Sequence, residues 1–218
     1  PRKLSAEEMQ AMVEAVRASG DPARGEAVFR RAELTCFKCH AVGNAGGVVG
    51  PNLVSLGATA QLDYLVDSIF DPNKAVKENY HTVVVLTEGG EVLSGIKVRQ
   101  TDTDLILRDA EDREISVPLD QIDEQSPGVS LMPTGVVDKL TRQELSDLIA
   151  FLSALGRLPE YTIGQNQIAR RWDVMLPTDQ AVFRLRRTSY ATAATDLPDF
   201  TWQRFYSRVS GDVPLGEL

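Results

Sequence analysis

Apolar residues recur at helical spacing in four stretches of the chain and alternate with polar ones in a long block between the third and the fourth. Ser5-Ala-Glu-Glu8 is a capping box. Met9, Met12, Val13 and Val16 follow at helical spacing and Gly20 acts as a stop, which predicts a first helix. Asp21-Pro22 reads as an N-cap with proline at the first helical position, opening a second helix, ARGEAVFRRAEL, that runs straight into CFKCH. The glycine-rich AVGNAGGVVGPNLVSLG is loop. Thr59 is placed to cap a third helix, AQLDYLVDSIF, whose Leu62, Leu65, Val66 and Ile69 form one stripe before Asp71-Pro72 ends it.

From Tyr80 the period becomes two. The segment from His81 to Asp123 holds four or five short strands punctuated by Glu-Gly-Gly, Thr-Asp-Thr-Asp and Glu-Asp-Arg-Glu turns, as in a small antiparallel barrel or curled sheet. QSPGVSLMPTG is a loop, after which Thr141-Arg-Gln-Glu144 is a second capping box. It starts the strongest helix, RQELSDLIAFLSAL, which Gly156 closes. Gly25 and Phe29 on the second helix and Phe151 on the last are suited to a close crossing with packed rings. Residues 157–218 carry strand-like patches in IARRWDVMLPTDQAVFRLRRTSY and a loop-like ATAATDLPDF. They read as an extension or the start of a further β-rich module.

Composition narrows the function classes. The 218 residues are 43% hydrophobic and 25% charged, enough for one large or two small domains. No apolar run is long enough to span a membrane, and PRKLSAEEMQ has no signal-peptide core. A start at Pro rather than Met suggests an excised piece of a longer protein. The formal net charge of -8 argues against nucleic-acid binding and suits a basic docking partner.

Both cysteines, Cys36 and Cys39, and one of the two histidines, His40, sit in CFKCH. A redox dithiol needs a thioredoxin-like βαβ setting, and here the motif lies between a helix and a glycine loop. Structural zinc needs four ligands, with only His81 or a carboxylate left to complete the set. A chance CxxCH is the plainest alternative. Covalent haem uses both thiols as thioethers and the adjacent histidine as an iron ligand. Three features elsewhere suit it. The turn Gly50-Pro51-Asn52-Leu53 has a carbonyl that could accept the Nδ1 proton of His40. The Ser130-Leu-Met-Pro133 loop puts a thioether, Met132, before the last helix. The third feature is the expected helix crossing.

The ordered set GEAVF, CFKCH, GPNL, LMP and ELSDLIAFLSAL resembles class I cytochrome c. More narrowly, GPNLVSLG, FDPNKAVKENY, the alternating block, SLMPTG and LTRQELSDLIAFL are similar to the haem-binding domain of planctomycete-type cytochromes, over about residues 21–156. The resemblance implies a mainly α cytochrome c fold (1–80 and 124–156) with an inserted SH3- or Sm-like β module (81–123), α+β overall. It also implies one haem c on Cys36 and Cys39, His40 as proximal and Met132 as distal iron ligand. Pro51, Leu53, Val54, Leu131 and the third-helix stripe are expected at the haem walls. Val136 departs from the pattern, where leucine is expected. His81 and an open site are the rivals to Met132. Met9, Met12 and Met175 are expected to be packing residues.

The expected function is single-electron transfer outside the cytoplasm, in the periplasm or at the cell surface. Its partners would be redox donor and acceptor proteins or a dehydrogenase in the same polypeptide or complex. The alternative is a haem peroxidase or gas sensor with a displaceable distal ligand. For the β insert, a cap over the haem edge is the plainest role. Edge pairing with a second copy, giving a homodimer, is another.

Overall fold

A computed structural model describes residues 3–164, 168–176, 178–187 and 200–217. The chain divides into two compact units, residues 1–163 and 164–218, so residues 157–163 belong with the helical unit rather than with an extension beginning at 157. The first unit is α+β. It contains α1 (Ala6–Ser19), α2 (Pro22–Phe29), α3 (Cys36–Cys39), α4 (Leu56–Thr59), α5 (Leu62–Phe70), strands β1 (Thr82–Thr87), β2 (Val92–Gln100), β3 (Asp104–Arg108), β4 (Glu114–Pro118) and β5 (Ile122–Pro127), and α6 (Arg142–Ala154). Among the described residues no helix is long and apolar enough to cross a membrane.

Helix starts follow their caps. Ser5 and Thr141 form reciprocal capping boxes with Glu8 and Glu144, and Asp21 accepts from the Ala23 and Arg24 amides. Two expectations are corrected. The second helix does not run into CFKCH: it ends at Phe29, a 3-10 turn covers Ala32–Leu34, and Thr35 turns left-handed at φ 56° before α3. Nor does Thr59 cap α5. It closes the separate turn α4, its hydroxyl donating back to the Ser55 and Leu56 carbonyls, and Gln61 precedes α5 without a side-chain cap.

Helix α6 is the axis of the unit. Every residue from Leu145 to Ala154 is buried, and α1, α2, α4 and α5 all pack on it. At the α2 crossing a Cβ on Gly25 would lie 1.9 Å from the Asp147 carbonyl oxygen, so only glycine lets the two backbones meet. Phe29 and Phe151 pack there with ring centroids 5.4 Å apart, as the sequence suggested. Asp147, 2% exposed, accepts from the Asp21 amide at 2.8 Å, from Arg24 Nε at 2.8 Å and from Gln143. Burial opposes its charge, but these donors outweigh it and hold its carboxyl below the ordinary range.

Glu144 provides a test of this helix start. The Thr141 amide above all, then Arg31 and the Thr141 hydroxyl, push its pKa from 4.5 down to about 2. The ionised form therefore stabilises the fold fully above about pH 4.5, and that contribution is lost as pH falls towards about 2. Thermal melts across this window should fall steeply for the natural chain and less steeply for Glu144→Gln. Parallel acid limbs would remove Glu144 as a contributor.

The five strands form one antiparallel sheet in the order β4-β3-β2-β1-β5, with a 3-10 turn at Leu119–Gln121 leading into the edge strand β5. The sheet runs to Pro127, four residues past the expected end at Asp123, because β5 pairs along β1. One face carries its own core of Val85, Leu105, Leu107 and Val117, all at most 2% exposed. The register puts Thr82 opposite Ile96 on the other face, where both are buried.

The second unit contains β6 (Arg171–Met175) paired antiparallel with β7 (Trp202–Tyr206), and α7 (Asp179–Leu185). The middle of the patch read as strand-like is thus helical: Thr178 accepts from the Ala181 amide and starts α7. Most of the loop-like ATAATDLPDF, residues 191–199, lies outside the described residues.

Candidate functional site

Thr35 adopts a left-handed backbone that a β-branched residue occupies only under strain, of order 1–3 kcal/mol. It directs the chain into a single helical turn, Cys36–Cys39, in which residues three apart share a face. Both thiols are half-buried and line one cavity of about 340 Å³. Burial pushes Cys36 up to about 11 and raises Cys39, the latter with help from the nearby Asp112 and Glu111 charges and against Lys38. A redox dithiol requires a lowered thiol pKa, so these thiols are unsuited to that role.

The glycine loop is tied back onto this turn by its own amides. Gly47 N–H donates to the Phe37 carbonyl, Gly50 to Cys39 and Leu53 to Ala41, at 3.0, 2.7 and 2.8 Å. Asn52 clasps the loop: its Oδ1 accepts from Gly43 and Val54, and its Nδ2 donates to the Gly43 carbonyl at 2.7 Å. The sequence reading missed that role, although an Asn after Pro in a glycine loop is a known turn signal.

His40 Nδ1 lies 2.9 Å from the Pro51 carbonyl oxygen. A carbonyl only accepts, so Nδ1 carries the proton, and Nε2 of the neutral ring keeps its lone pair. Burial lowers the imidazole pKa, against the raising effect of the Pro51 bond, which keeps the ring neutral. A Cβ on Gly50 would sit 2.5 to 2.9 Å from three ring atoms, so the loop presses its bare backbone on the imidazole.

Met132, in the loop between β5 and α6, lines the same cavity. Its amide donates to the Ser130 hydroxyl at 3.2 Å, and the Ser130 amide donates to Asn73 Oδ1 at 2.8 Å, which pins the loop to the segment after α5. His81 is exposed and is not a lining residue, nor are Met9 and Met12. Leu53, Leu131, Val136, Leu65 and Ile69 wall the cavity, whereas Val54, Leu62 and Val66 do not. Ile96 of β2 is a wall residue that sequence patterning missed, because its burial depends on how the sheet docks. Among the described residues no three His, Cys, Asp or Glu side chains converge as metal ligands, so the set structural zinc needs is not assembled.

One apolar cavity therefore collects two thiols, a neutral imidazole of fixed tautomer and a thioether. Its volume falls in the range of small-molecule and cofactor sites. No family model and no curated protein matches the chain.

Proposed function

We propose that the first unit is a c-type haem protein, holding one haem through thioethers at Cys36 and Cys39. More particularly, it is a single-electron carrier in which His40 and Met132 would ligate the haem iron. The observation that carries this is the 2.9 Å bond from His40 Nδ1 to Pro51, which points the ligating tautomer towards a cavity that both thiols share. The topology of the inserted sheet, with a 3-10 turn before an edge strand paired to β1, supports an SH3-like module within a cytochrome c frame.

When bound, the haem supplies reversible one-electron chemistry at its iron. The protein does the rest. Cys36 and Cys39, both free and lining the cavity, would hold the haem by thioether bonds. His40 is oriented by Pro51, and the thioether of Met132, as an iron ligand, would favour the reduced state. Leu53, Leu65, Ile69, Ile96, Leu148 and Leu152 exclude water. With His40 and Met132 both ligating the iron, the haem would be suited to electron transfer rather than to binding O2 or peroxide. Haem attachment at CxxCH takes place outside the cytoplasm, which supports an extracytoplasmic location, and suitable partners would be a donor and an acceptor protein or a dehydrogenase in the same polypeptide or complex.

Intact mass of the chain produced in an extracytoplasmic compartment with haem-attachment machinery tests this directly. A gain of one haem per chain is expected, together with its loss in the Cys36→Ala/Cys39→Ala double variant. An unchanged mass for the natural chain would sink the assignment.

A further inference from the structure

Among the described residues lining the cavity, Lys77 is the only Asp, Glu, Lys or Arg. It stands in the short segment between α5 and β1, where its carbonyl accepts from the Tyr80 amide at 3.0 Å in a turn completed by left-handed Asn79. Lys77 is exposed, and so is Tyr64 of α5, at 48%; Tyr80 is half-buried, and all three are lining residues. A residue that both lines a cavity and reaches solvent marks its mouth. The neighbouring Lys74 is neutralised by Asp67, whereas Lys77 has no carboxylate partner among the described residues. In a chain of net charge -8, a cationic residue at the mouth of a cavity whose described lining holds no carboxylate suits a ligand that brings an anionic edge there.

We infer that Lys77, with the phenols of Tyr64 and Tyr80, forms an anion-holding mouth that takes the propionate carboxylates of the haem. The inference rests on the covalent-haem assignment and adds the orientation of the cofactor: thioether edge at α3, carboxylate edge at the α5–β1 turn. Lys77 is a positioning residue. Its charge keeps a propionate ionised and offsets the influence of that negative charge on the iron.

Redox titration of the haem-loaded protein against pH tests this. The natural chain should show a nearly flat midpoint potential across about pH 5 to 8, because a propionate paired with a cation stays ionised throughout. Lys77→Gln should lower the equilibrium constant for reduction at neutral pH by about three- to tenfold. It should also introduce a fall with rising pH, as the released propionate titrates within the window. Lys77→Arg should restore the flat profile, and Lys77→Glu should deepen the change. Profiles of Lys77→Gln and Lys77→Glu that superimpose on that of a fully loaded natural chain would overturn this orientation while leaving the haem assignment standing. A natural chain that takes up no haem overturns the assignment itself, and the orientation with it.

Discussion

In the haem-loaded protein, Met132→Ala is expected to leave the cofactor attached and to change its ligation. The proposed attachment is at Cys36 and Cys39, far in sequence from Met132, so the mass added by haem should not change. The spectrum should. Loss of the thioether ligand should convert a low-spin iron to high spin, abolish the weak thioether-to-iron band of the oxidised form, and lower the reduction potential, because the Met/His pair is the ligation that raises it. Truncating a half-buried Met also costs packing, about 2 kcal/mol, at the low end for large-to-small changes. An unchanged spectrum would exclude Met132 as the ligand. His81 would be a poor replacement, since it is exposed and lines none of the cavity.

The second large effect is on stability. Gly25→Ala should destabilise the first unit by about 3 kcal/mol, at the upper end for overpacking, because the added methyl falls 1.9 Å from a carbonyl oxygen and 2.8 Å from Phe151 Cβ, and backbone cannot rotate out of the way as a side chain can. For a unit of this size that corresponds to a fall in melting temperature of about 6–12 °C. A melt within a degree or so of the natural protein would mean that α2 and α6 do not cross so closely.

Helix starts and the long helix α6 were legible because their causes are local. Ser5, Asp21 and Thr141 accept from amides two or three residues away, and a single sequence records such spacings directly. The close crossing at Gly25 was legible for a related reason: a glycine and an aromatic one turn apart on one helix supply the gap and the ring that such a crossing needs, and Phe151 on another helix supplies the second ring. The site divided along the same line. His40 and Pro51 lie within one loop, and their bond was readable from the turn GPNL. What the sequence did not carry were positions set by tertiary docking. Ile96 enters the wall because one face of the sheet turns towards the helices, and α2 breaks at Arg30 because the chain must turn to present the two thiols together. The tail failed differently: Thr178 starts a short helix inside a run whose alternation suggested a strand, a length of chain over which the two periods are hard to separate.

The inserted sheet begins and ends at the same place. Val83 pairs with Pro127, and the Gly128 amide donates to the Thr82 carbonyl at 2.9 Å, so about half of the chain between His40 and Met132 folds into a body whose two ends touch. For loop closure, such a body counts as little more than a turn. Because closure entropy grows only as the logarithm of length, removing that half from the effective loop changes the cost of bringing the two ligand segments together by about 0.6 kcal/mol. The insertion is therefore almost neutral to bringing His40 and Met132 to one cavity. Topologically it could be exchanged for a hairpin, except that Ile96 would then be missing from the cavity wall.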